Sequence, residues 1–237
     1  MHHRYLKLKS HDNSATAKLN RLRAAVLGAD DGIVSISGLV IGVAGANGQR
    51  SVILAAGVAG IIAGIISMAA GEYVSVSSQR DTERSMIKQE EDELDAEPNK
   101  ELAELTHIYI KKGLSPATAA MVATELTAKD AYAAHLDAEL DIDPSHLVNP
   151  WQAAISSAGA FFAGGILPLL AITLSPSHDR IIITFLSTII ALFITGILSA
   201  KVGRAPMLRA IVRVMAGGAL AMAVTYIIGH FIGLSSL

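Results

Sequence analysis

Apolar residues gather into five runs, roughly 24–48, 52–78, 151–174, 181–200 and 210–234. Each is long enough for a helix to cross a bilayer core, which takes about 20 mostly apolar residues. A soluble domain would need to bury five helices that are apolar all round, with almost no amphipathic layer about them. Such helices belong in a membrane. Between the second and third runs lies a polar stretch, 79–149, with helical periodicity of its own. No glycine or proline interrupts the chain from Val74 to Glu97, so the second span is predicted to run on as one helix as far as Pro98. Asn99 then reads as the cap of another helix, ending at Lys111-Lys112 and Gly113. Ser115-Pro116 reads as the cap and first turn of a third. The predicted fold is an all-α membrane protein: five transmembrane helices, with a cytosolic three-helix metal-binding domain inserted between helices 2 and 3. The expected divisions are an N-terminal arm, 1–23; spans one and two, 24–78; the polar domain, 79–149; and spans three to five, 150–237.

Charge sharpens this picture. The chain has 237 residues, 51% of them hydrophobic, yet 16 of its 21 acidic residues fall within 79–149. Eight of those crowd into Lys88–Leu105, "KQEEDELDAEPNKELAEL". A formal charge of −2 offers no footprint for nucleic acid, which calls for a strongly basic surface. The absence of cysteine excludes disulfides, thiolate zinc sites and thiol chemistry. No organic cofactor is expected. The first twenty residues are polar and basic without an apolar core, so no cleavable signal is expected and the first span itself should direct insertion. Orientation follows Lys and Arg. Six lie in 1–23, seven in 79–149 and four in 201–213, against only Arg50 and Arg180 in the other two connections. With five spans this puts the N-terminus and acidic domain in the cytosol and the C-terminus outside. The compact loops favour a bacterial cytoplasmic membrane.

Two spans carry carboxylates, which are costly in a bilayer and usually line a polar route or pair with a partner. In "LGADDGIVSISGLVIG", Gly28, Asp31, Ser35, Gly38 and Gly42 share one small, polar face, while Asp30 points about 100° away. Both aspartates have a blander reading as interfacial groups that neutralise Arg21 or Arg23. In span two, Gly60, Gly64, Met68 and Glu72 step by four. A thioether and a carboxylate one turn apart suit a borderline metal such as Fe(II) better than Mg or Ca. Met68 alone reads more readily as packing, since methionine fills cores anywhere, and Glu72 is also readable as an interfacial group.

In the acidic domain, Glu83, Met86, Glu90, Glu93 and Glu97 fall within about 80° of helical arc. Glu101 and Glu104 lie on the second helix. Met121, Glu125, Ala128, Tyr132, His135 and Glu139 form a stripe on the third. Carboxylates this dense repel one another, and a polyvalent cation is the simplest group to offset that. The competing reading is a solvated acidic surface, the usual fate of charge runs. Glu104 and His107 form a Glu-x-x-His motif, as in di-iron bundles. Such a site needs a second motif and two more glutamates, and the other spaced match, 143–146, contains a proline.

"LGADDGIVSISGLVIGVAGAN", "AGVAGIIAGIISMAAGEYVSVSSQRD" and the acidic run that follows resemble the vacuolar iron transporter family over nearly the whole chain. The resemblance implies a homodimer whose ion pathway runs between protomers, lined by spans one and two. The activity it implies is export of cytosolic Fe(II), and often Mn(II), in exchange for protons. It casts Asp31 and Met68 as pathway residues. It casts Glu90 with Glu93, Glu101 with Glu104, and Glu139 as cytosolic metal ligands, and His135 stands where some relatives carry methionine. Gly60 replaces an acidic residue of plant-type relatives, a role Glu72 could take over. The expected partners are therefore divalent metal ions, protons, the lipid bilayer and a second copy of the chain. A membrane-anchored metal sensor or scavenger is the alternative, though a plain anchor has no need of Asp31.

Overall fold

The computed structural model describes residues 2–143 and 147–235, with side chains at Leu22 and from Ala24 onward. Among these residues the fold is all helical. α1 spans His2–Ala46, α2 Arg50–Ala96, α3 Pro98–Lys111 and α4 Pro116–His135, which leads into a π-helical turn, Leu136–Leu140. α5 spans Pro150–Leu174, α6 Arg180–Gly203 and α7 Met207–Ser235. Five of the helices, α1 from Ala24, α2, α5, α6 and α7, are long and apolar enough to cross a membrane. The chain is an integral membrane protein. α1 begins far upstream of its apolar run, so the backbone of the polar arm is helical as well.

The chain divides into two compact units, one through Tyr73 and from Trp151 on, the other Val74–Pro150. The first unit is the apolar bundle. Its core joins Ile36, Val40 and Ile41 of α1, Ile53 and Ile61 of α2, Phe161, Leu169 and Ile172 of α5, and Met222 of α7. Lipid tails are as apolar as leucine, so burial alone does not drive helices together in a bilayer. Close packing at small residues does. The sequence supplies them where helices cross. A Cβ on Gly164 would collide with the Ala29 carbonyl, and one on Gly229 with that of Gly42. At one end of this bundle two arginines tie the α1–α2 and α5–α6 connections together. Buried Arg180 donates from Nη1 to Gly48 O (2.9 Å) and Arg50 donates from Nη2 to Ser175 O (3.1 Å).

In the second unit, α2 runs unbroken to Ala96, as the missing breakers predict. The next helix departs from expectation at its start. Pro98 is its first residue and Glu97 its cap, with no side-chain cap bond, so Asn99 lies inside the helix. Gly113 takes the positive φ (101°) that ends it. Ser115 caps α4 as predicted, its Oγ accepting from Thr118 N at 3.3 Å. α4 is not one straight rod. Asp130 is extended (φ −168°, ψ 94°) and its Oδ1 accepts from Ala133 N at 2.9 Å, restarting the helix. Small residues let the helices close up: Leu105, Ala123 and Ala134 form the core, flanked by Leu102, Tyr109, Leu126 and Ala138.

Candidate metal centre

Each helix of the second unit turns a polar side chain inward. Glu90 comes from the end of α2, Glu101 from the first turn of α3, and His135 from the end of α4; all three are at most 3% exposed. Glu139, more open, follows from the π-helical turn. His135 Nδ1 lies 2.8 Å from Glu90 Oε1, 3.7 Å from Glu139 Oε2 and 3.9 Å from Glu101 Oε2. One ligand atom each from Glu90, His135 and Glu139 lies within 4.8 Å of the others.

The 2.8 Å contact has the distance of an ion pair but not the alignment of a hydrogen bond. Glu90 Oε1 and both imidazole nitrogens are buried and have no hydrogen-bond partner among the described residues. Buried polar atoms are normally satisfied, and an orphaned one costs on the order of 1–3 kcal/mol. Two neighbouring ligands of an octahedral metal, each at about 2.1 Å, stand roughly 3 Å apart along an edge. The Nδ1 to Oε1 spacing matches such an edge, and its poor hydrogen-bond alignment fits two lone pairs converging on one point. The donors, carboxylates with one imidazole, suit a divalent transition ion.

Electrostatics point the same way. Burial pushes the Glu90 carboxyl up to about 7, helped by the charges of Glu139, Glu101, Glu93 and Glu104. Burial also raises Glu139, with the Glu104 charge adding to it and His135 opposing. Near neutral pH the Glu90 carboxyl therefore exchanges its proton readily, and a divalent cation would compete for the same oxygens.

Of the two expected glutamate pairs, one member of each turns inward. Glu90 and Glu101 are buried. Glu104 is exposed, and Glu93 is half-buried, accepting from Gln89 Nε2 at 3.0 Å. Glu93, Glu97, Lys100 and Glu101 also line a groove of about 390 Å³ where α2 meets α3. Lys100 pairs there with Glu97 (3.2 Å) and approaches Glu101 (4.0 Å). The stripe expected on the third helix does not survive the break at Asp130: Met121 is 61% exposed whereas His135 is fully buried. The proline-containing match at 143–146 falls partly outside the described residues.

In the bundle, Asp31 is exposed on α1 and accepts from Ser35 Oγ at 2.9 Å. Gly28 on the same face packs against Ser157 and Ala160 of α5, while Gly38 and Gly42 pack against Thr225 of α7. Met68 is half-buried and packs against the main apolar core. Glu72 is half-buried one turn further along α2. Asp30 turns instead toward Thr195 of α6, with its Oδ1 buried and without a hydrogen-bond partner among the described residues, a placement that sequence spacing could not reveal because it depends on which helix lies beside α1. The alternative pairing with Arg21 or Arg23 lies outside the described side chains.

Comparison with known proteins bears on the whole chain. A family model described as the VIT family matches residues 22–230. A protein named vacuolar iron transporter, from Acanthamoeba castellanii, is 44% identical over 210 residues, covering 88% of this chain and 77% of its own length. Vacuolar iron transporter homolog 2.1 of Arabidopsis thaliana is 34% identical over 217 residues, covering 91% and 83%. VIT-like transporter 1b of Glycine max is 31% identical over 232 residues, covering 96% and 84%. With a match this long and relatives this similar across most of their lengths, the chain belongs to the VIT family.

Proposed function

We propose that the chain is a transporter, not an enzyme, that moves a divalent transition metal, Fe(II) or Mn(II), out of the cytosol in exchange for protons. The observation that carries this reading is the Glu90–His135–Glu139 cluster, two of its three members buried, in a chain whose relatives are named iron transporters. In this reading residues 79–149 form a cytosolic domain. Glu90, His135, Glu139 and Glu101 hold the ion there, and Glu93 and Glu104 lie on its approach.

The ion then passes to Met68, Glu72 and Asp31 on the spanning helices. An exposed carboxylate on such a helix is too costly to leave against lipid. The exposure of Asp31 therefore supports a pathway at a face covered by a second copy, with the active unit a homodimer. A carboxylate that gives up a metal takes up a proton readily when desolvated, which supports antiport. The orientation follows from the Lys and Arg distribution, with the N-terminus and acidic domain cytosolic and the C-terminus outside. A bacterial cytoplasmic membrane suits the compact loops.

The sensor or scavenger reading has one observation in its favour: the cluster is complete within a single compact unit. Flux of Mn(II) into proteoliposomes, with and without a pH gradient, separates the two. The transporter reading expects flux that the gradient accelerates and that Asp31→Asn slows at least tenfold, about 1.4 kcal/mol or more in barrier. Flux equal to that of empty liposomes supports the sensor, and an unchanged rate in Asp31→Asn refutes the pathway assignment.

A further inference from the structure

Lys112, at the C-terminal cap of α3, makes a bond unlike those of the neighbouring lysines. Lys88 and Lys100 pair with carboxylates. Lys112 instead donates from Nζ to the backbone carbonyl of Ala138, at 2.9 Å and 26 residues away. Ala138 immediately precedes Glu139 in the π-helical turn. That turn ends at Asp141, which is left-handed (φ 51°), and Ile142 N closes back on Leu136 O at 3.1 Å. A carbonyl in the last turn of a helix lacks an intrahelical donor, and Lys112 supplies one from α3. The ammonium is itself held, 5.4 Å above the ring of Tyr109. Tyr109 and Ala138 both pack against the Leu105–Ala123–Ala134 core.

The geometry points to Lys112 as a positioning residue that fixes the π-helical turn and so keeps Glu139 Oε2 beside His135 Nδ1. Being cationic, it binds no metal; it acts on the cluster through the backbone that carries Glu139. The inference rests on the metal-collecting reading of that cluster. Partners of this outer kind typically set metal affinity within about 10–100-fold.

The test is Mn(II) binding to the full-length protein in detergent, read by electron paramagnetic resonance of the free ion. Lys112→Met keeps the stem and removes the donor, and should weaken binding about tenfold. Lys112→Arg, which restores a donor, should recover most of it. In a Glu139→Gln background, Lys112→Met should change binding by less than about twofold, since a residue acting through Glu139 has nothing left to position. Unchanged binding in Lys112→Met, or an undiminished loss in the Glu139→Gln background, overturns the inference. If Glu139→Gln and His135→Gln both bind like the unmutated protein, the metal-collecting reading falls and the role of Lys112 falls with it.

Discussion

The two units differ in where their buried polar groups stand relative to one another. In the bundle, buried Arg180 bonds the Gly48 and Ser177 carbonyls and Thr184 bonds the Arg180 carbonyl, while Asp30 Oδ1 and Thr188 Oγ1 are buried without a hydrogen-bond partner among the described residues. Helices there close at glycines, so that unit's shape follows from steric fit. In residues 74–150, Glu90, Glu101 and His135 are buried facing one another, and three of their polar atoms are orphans. Like charges packed together destabilise a fold unless a cation joins them. The bundle's two orphans lie on different helices, whereas those of Glu90 and His135 face one another, as the proposed cation site requires.

The largest effect should come from breaking the steric fit. Gly229→Leu would drive a side chain into the Gly42 carbonyl, a backbone group that cannot rotate out of the way. Overpacking of that severity costs about 3 kcal/mol or more. Calorimetry of the detergent-solubilised protein should show the main transition lowered or lost. A transition unmoved by Gly229→Leu would mean that the α1–α7 crossing is not close-packed.

A smaller effect probes the other unit through pH. The Glu90 carboxyl is raised from 4.5 to about 7 in the fold. A group that binds its proton more tightly when folded contributes stability that is present below pH 4.5 and lost as pH rises through 7. Without metal, stability should therefore fall between pH 5 and pH 8, on the order of 2 kcal/mol, relative to Glu90→Gln. With Mn(II) the dependence should reverse, because protons compete with the ion for the same oxygens. Paired melting curves at the two pH values check both signs; identical slopes in Glu90→Gln would remove Glu90 from the account.

The smallest expected effect is local. Ser115→Ala removes the side-chain cap of α4 and should cost about 1 kcal/mol. Hydrogen exchange should show the loss in 74–150 and leave the bundle amides unchanged.

Much of this contrast was legible in the sequence. Long apolar runs mark the spans, the missing breakers carry α2 to Pro98, and Ser115-Pro116 and Gly113 mark helix ends. His135 and the glutamates around it were legible as residue types. Their final arrangement was not. A stripe counted at 100° per residue assumes one straight α-helix, and the extended Asp130 and the π-helical turn break that phase. So Met121 ends exposed and His135 buried. Glu101 and Glu104 differ by only about 60° of arc, too little for periodicity to tell which turns inward. Lys112 was legible only as a helix-ending charge, because its acceptor lies 26 residues away.

The central claim is that His135 and its neighbouring carboxylates hold a divalent ion. Electron spin-echo modulation of Mn(II) bound to the full-length protein tests it most directly, because an imidazole ligand imprints its nitrogen on the echo. The account predicts a single-histidine nitrogen signature that disappears in His135→Gln, together with about a hundredfold loss of affinity. Bound Mn(II) with no nitrogen signature, or with one that survives His135→Gln, would contradict it.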